Sequence, residues 1–149
     1  MVEKIVSGGQ SGADRAALDW AIVNGYPHGG WCPQGRIAED GVIAQEYRLE
    51  ETPDARHIVR TEWNVRDSDA TVIFSISPKL VGGSADTLRL ANELGRPCLH
   101  LAREAGGDPS SALRGFIDKH AVRVVNVAGS RASEEAGIGH FVTDVLDRL

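Results

Sequence analysis

The chain has 149 residues, enough for one domain with a buried core, and its 42% hydrophobic and 25% charged residues are an ordinary balance for a folded protein. A formal net charge of -5 gives no broad cationic field, which argues against long nucleic acid or an anionic membrane surface but leaves room for a small anion bound locally. Cys32 and Cys98 are too few for a disulfide framework and lack a second C-x-x-C or C-x-x-H half, so both read as free thiols and no metal site is expected.

The opening MVEKIVSGG carries Glu3 where a secretory leader has basic residues and runs straight into an apolar strand, Lys4 to Ser7, which predicts a cytoplasmic protein. Nothing approaches the ~20 apolar residues of a membrane span. Apolar residues at 13, 16, 17, 20 and 21 then predict a helix from Ala13 to Val23, closed by Asn24-Gly25. From Tyr26 to Asp67 glycine, proline and charge crowd together in HGGWCPQGR, AEDG and ETPDAR, the pattern of functional loops, with His57-Ile58-Val59-Arg60 a possible short strand. Ala70 to Phe74 is a continuous apolar strand, and GGSADT opens a helix from about Ser84 to Leu94 with Gly95 beyond it. Pro97 to Leu101 reads as a strand, Ser110 to His120 as a helix, and Val122 to Val127 as the last strand. Ile138, Phe141, Val142, Val145, Leu146 and Leu149 then mark one face of a final helix.

Strands alternating with helices of this length imply right-handed crossovers and a mostly parallel sheet of four to five strands covered on both faces, a Rossmann-like α/β/α arrangement in one domain over residues 1–149. Ligands of such sheets bind beyond the carboxyl ends of the strands, where helix N-termini offer partial positive charge and free N–H groups. Three glycine loops fall there: Gly8-Gly9-Gln10-Ser11-Gly12, then Gly82-Gly83-Ser84 with Asp86 and Thr87, and Gly129-Ser130-Arg131. Glycine lets a backbone approach an oxyanion closely, so a β-branched side chain at Gly9 would block it; the Ser and Thr hydroxyls can bond the anion or simply cap the helix. The first loop is not a P-loop, since no lysine follows Gly12, and G-G-x-x-G is not the G-x-G-x-x-G of a dinucleotide site.

SGGQSGADRAALDWA, GGWCPQGRIAEDG, Tyr47 with Leu49, Glu51 and Thr52, RTEWNVRDSDATVI, GGSADT and NVAGSR stand in the order that resembles the putative molybdenum carrier family, the circularly permuted YpsA-like branch of the SLOG superfamily. The likeness runs over nearly the whole chain. It implies a Rossmann-like fold and a nucleotide-like or phosphate-bearing ligand; the molybdenum label, through the related molybdenum-cofactor carriers, adds that cofactor and molybdate to the candidates. The same superfamily holds the lysine-decarboxylase-like phosphoribohydrolases, which cleave nucleoside monophosphates and carry P-G-G-x-G-T-x-x-E. This chain departs from that pattern: Val81 precedes its glycines and Leu90 stands where the glutamate would lie, three residues after Thr87.

Arg36, Glu39, Asp40, Arg60, Asn64 and Asp67 supply the cations and carboxylates that an anionic, hydrogen-bonding ligand needs, the guanidinium fork suiting phosphate or molybdate oxygens. Asp14, in the first helical turn, is either a ligand contact or a carboxylate favoured by the helix dipole, and Arg15 beside it a ligand contact or a surface charge. Trp31 could stack on a base or pterin ring or anchor its loop; Trp20 belongs to the core. Two functions follow: a binding protein, carrier or sensor for a small anionic ligand, with a homo-oligomer an allowed form, or a nucleoside-monophosphate phosphoribohydrolase-like enzyme with Glu39 or Asp40 as acid and Arg36 or Arg60 on the phosphate. The missing glutamate favours binding without turnover. A purely structural module would leave three anion-competent loops unexplained.

Overall fold

The computed structural model describes residues 1–149. Five strands form one parallel sheet: β1 (Lys4–Val6), β2 (His28–Gly29), β7 (Ala70–Ser75), β8 (Cys98–Ala102) and β9 (Val124–Gly129), in the order β2-β1-β9-β7-β8. The β-branched and apolar runs earn their place by alternation. Val72, Phe74, Val125 and Val127 point into one core with Trp20, Phe116, Phe141 and Val142, whereas the intervening Thr71 and Asn126 face the other way and hydrogen-bond to each other at 3.2 Å. Helices α1 (Ala13–Val23), α4 (Pro109–His120) and α5 (Ile138–Leu146) cover the first face, and α2 (His57–Arg66) and α3 (Gly82–Glu93) pack together on the second. This is the expected three-layer Rossmann-like architecture.

Helix ends follow their residues. After α1, Gly25 takes φ 72° and its N–H donates to Ile22 O, while Tyr26 N–H reaches Ala21 O at 2.9 Å; Gly95 closes α3 in the same way. Asp108 caps α4 by accepting from Ser111 N–H. In α5 the buried side chains Ile138, Phe141, Val142, Val145 and Leu146 form the predicted stripe, each contributing about 1.5–3 kcal/mol by leaving water.

Two expectations are corrected. His57 to Arg60 is not a strand but the first turn of α2: Ile58 and Val59 suit a strand, yet Thr61 to Arg66 continue the helix they begin. The fifth strand is β2, two residues long, joined to β1 by Ile5 N–H to Pro27 O and Ser7 N–H to Gly29 O. Nor is the segment after it all loop. β3 (Trp31–Cys32) pairs in parallel with β6 (Glu50–Glu51), β4 (Ile37–Ala38) and β5 (Gly41–Val42) make a hairpin, and Cys32, Ala38, Ile43, Tyr47 and Leu49 form a second small core with Leu18 of α1.

Candidate functional site

β1, β9 and β7 deliver the three glycine loops to one edge of the sheet. The first loop is largely closed on itself. Ser7 Oγ accepts from Gly9 N–H, Asp14 carboxylate from Gln10 N–H, and Gln10 Oε1 from Ser11 N–H, so three of the amides expected to hold an anion are already engaged by side chains. Its glycines have packing reasons. A Cβ on Gly9, at φ 74°, would stand 2.5 Å from Leu49 Cδ1 in the small core; one on Gly12 would meet the backbone of Ser130 to Ala132; one on Gly8 would collide with the Arg60 guanidinium.

The third loop is similarly engaged. Ser130 Oγ donates to Glu135 at 2.5 Å, and the same carboxylate accepts from Ile76 and Ser77 N–H just past β7. Burial pushes the Glu135 acid up, but these hydrogen bonds outweigh it and hold it below the usual range. Glu39 bridges the first and third loops, accepting from the hydroxyls of Ser11 and Ser133 and from Ser133 N–H. Hydrogen bonds from Ser11 and Ser133 hold its carboxyl below the usual value, and the Arg15 side chain does the same for Asp40. Both are ionised acids at loop junctions, outside the cavity described next, which moves them out of the acid role expected of them.

Arg36 is reassigned more completely. It is buried at φ 55°, and its guanidinium donates four of its five N–H groups to the carbonyls of Ile43, Ala44, Tyr47 and Leu49, binding the two limbs of the 36–49 segment together. Asn64 clamps the backbone of Trp31, and Asp67 accepts from its indole N–H, so these residues anchor Trp31 against Trp63.

The remaining candidates converge on a cavity of about 240 Å³ beyond the carboxyl ends of β1 and β9. Gln10, Asp14 and Gly129 line it from the sheet side, Arg60 from α2, Gly82, Gly83, Ser84 and Thr87 from α3, and Arg131 from the third loop. The start of α3 has no side-chain cap, the Ser84 hydroxyl has no partner, and Thr87 Oγ1 donates back to Gly83 O. Arg60 lies 3.5 Å from the buried Asp14 carboxylate and its Nε has no acceptor. Arg131 makes no ion pair and its guanidinium has no hydrogen-bond partner; its backbone N–H donates to Glu134 at 2.8 Å and its carbonyl accepts from Glu134 and Glu135 N–H. Burial pushes the Asp14 acid up despite the nearby Arg60. A larger concavity, about 700 Å³, runs along the surface between α1 and α5, but converging cations and open helix amides belong to the smaller one.

Sequence reasoning missed His57, Thr61 and Glu134, which also line the cavity. Burial, then Arg60 and Arg131, lower the His57 pKa and favour the neutral ring. The signal for Glu134 was present: an acid three residues after Arg131 suits a turn that caps its own backbone. His57 has no comparable local mark.

The profile of the circularly permutated YpsA SLOG family matches residues 5–149. The chain belongs to that family. A crystal structure from Syntrophus aciditrophicus, named a putative molybdenum carrier protein, is 42% identical, with a TM-score of 0.96 over 99% of this chain and 94% of that one. No curated protein matches the chain. Within this SLOG family member, no helix is long and apolar enough to cross a membrane, and no cluster of three or more His, Cys, Asp or Glu is placed to hold a metal ion.

Proposed function

We propose that this SLOG family chain is a single-domain, cytoplasmic binding protein that holds a small anionic ligand through a phosphate-like or molybdate-like oxyanion in the 240 Å³ cavity, carrying or sensing it without transforming it. The observation that carries this reading is the meeting of two guanidinium groups, Arg60 and the unpaired Arg131, with the uncapped start of α3. Free helix N–H groups with a positive dipole end are suited to an oxyanion, and guanidinium adds charge-assisted bonds. The name of the Syntrophus protein makes molybdate a natural probe, with phosphate and nucleotides beside it. Arg131→Ala is expected to weaken phosphate or molybdate binding about 10- to 100-fold, the worth of one hydrogen bond to a charged group, without lowering the melting temperature. Calorimetric titration with unchanged affinity in the folded variant would overturn the reading.

A hydrolytic function has one specific observation behind it, the raised acid of Asp14 in the cavity wall. Its carboxylate is already engaged by Gln10 N–H and Arg60, and Leu90 occupies the place of the hydrolase glutamate. Incubation with adenosine, guanosine, cytidine and uridine monophosphates, followed by chromatography, is expected to release no free base. Release abolished by Asp14→Asn would replace carrier with enzyme.

A further inference from the structure

The cavity walls are chemically one-sided. Ile58 and Ala128 are the only apolar residues lining it, and no Phe, Tyr or Trp side chain reaches it, the one ring in its wall being the small His57 imidazole. A pterin or purine is recognised mainly by stacking and by apolar walls, which these are not. The tryptophans lie elsewhere, Trp31 packed edge-on against Trp63 and Trp20 against Tyr26. At about 240 Å³ the cavity also falls below the ~300–1,000 Å³ usual for sites that enclose a drug-sized ligand.

The walls are not purely cationic either. Asp86, one turn into α3, has a half-exposed carboxylate held only by Arg89 at 3.5 Å. Glu134 uses Oε1 on Arg131 N–H, while its Oε2 lies 3.8 Å from the position a Cβ on Gly82 would take, spanning from the third loop toward the start of α3 with no donor of its own. Ionised carboxylates only accept hydrogen bonds, so they repel a bare dianion and suit a ligand that brings hydroxyl donors.

We infer that the cavity takes a phosphorylated sugar or polyol, its oxyanion against Arg60, Arg131 and the open amides of α3 and its hydroxyls against Asp86 and Glu134, an inference that rests on the oxyanion reading above. The ligand is a compact phosphate ester; a base or pterin, if attached, projects outside and adds no affinity.

The test is calorimetric titration of the full chain with inorganic phosphate, molybdate, ribose 5-phosphate and adenosine monophosphate. Ribose 5-phosphate should bind about tenfold more tightly than phosphate or molybdate, as one or two extra charge-assisted hydrogen bonds would give, with the nucleotide within about threefold of it. Glu134→Gln should weaken ribose 5-phosphate about tenfold while leaving phosphate unchanged or tighter, the opposite signs separating hydroxyl recognition from loss of a repelling charge. Asp86→Asn, on an exposed helix face, should act in the same direction if Glu134→Gln fails to fold. Equal binding of phosphate and ribose 5-phosphate, a tenfold or greater gain from the base, or a uniform tightening in the variants would each overturn the inference and leave the oxyanion site standing. No binding of any of the four probes would remove the oxyanion reading as well.

Discussion

Two arginines of the same expected role end in opposite environments. The Arg36 guanidinium meets four carbonyl acceptors and that of Arg131 meets none, so one organises a loop and the other is free of protein partners. Gly9 carries the same lesson. Its glycine was expected to clear a path for an oxyanion, but the space beside its Cα is filled by Leu49 and Ile43. Gly9→Val combines a left-handed backbone with overpacking of the small core and is expected to cost about 2–4 kcal/mol of stability. Urea denaturation should show that loss, while phosphate affinity of the molecules that stay folded should change by less than about twofold.

At the scale of elements, the 37–42 hairpin is tied to the sheet edge through Glu39, whose carboxylate reaches both the first and third loops. Because those hydrogen bonds lower its pKa below the ordinary 4.5, the tie is complete above that value and is lost as pH falls through the lower folded value. Glu39→Gln should therefore reproduce at neutral pH what acid does to the wild type: faster amide exchange in residues 37–43, corrected for intrinsic rates, with the amides of β7 unchanged. Equal protection of the hairpin in the variant would show that the tie has no mechanical role. The long strands and the helices with glycine stops were legible in sequence, because buried parallel strands read as apolar runs and a left-handed stop nearly requires glycine. β2 was not legible, since two residues, one of them glycine, leave no alternation to read. The small core was hidden because its members, from Leu18 to Leu49, share a place but no period. For the site, residue types located the three loops, and the α3 loop with Arg60 and Arg131 now lines the cavity. Which amides and guanidinium groups remain free depends on neighbours far away in sequence.

At the scale of the molecule, a net charge of -5 coexists with a cavity on which two arginines converge beside Asp14, Asp86 and Glu134, while other acids are spread over the surface, some in ion pairs such as Glu3–Arg123. The sheet order has a further consequence for how the chain is made. β9 sits in the middle, between β1 and β7, yet it leaves the ribosome after both; Glu3 and Arg123, side by side beneath β1 and β9, are 120 residues apart. Until it arrives, a nascent chain has only two partial sheets, β2-β1 and β7-β8, each with an inner edge of unpaired N–H and C=O groups meant for the same strand. Such edges are templates for another copy, and contacts this distant in sequence are slow to form. A chain ended after His120 should therefore self-associate in sedimentation experiments, and a peptide spanning residues 121–149 added during refolding should suppress that association; a monomeric, folded truncation would show that β1 and β7 can close on each other without it. Vectorial synthesis thus leaves the central seam of this protein to its last strand, and the finished cavity, walled by Gly129 and Arg131, cannot exist before then.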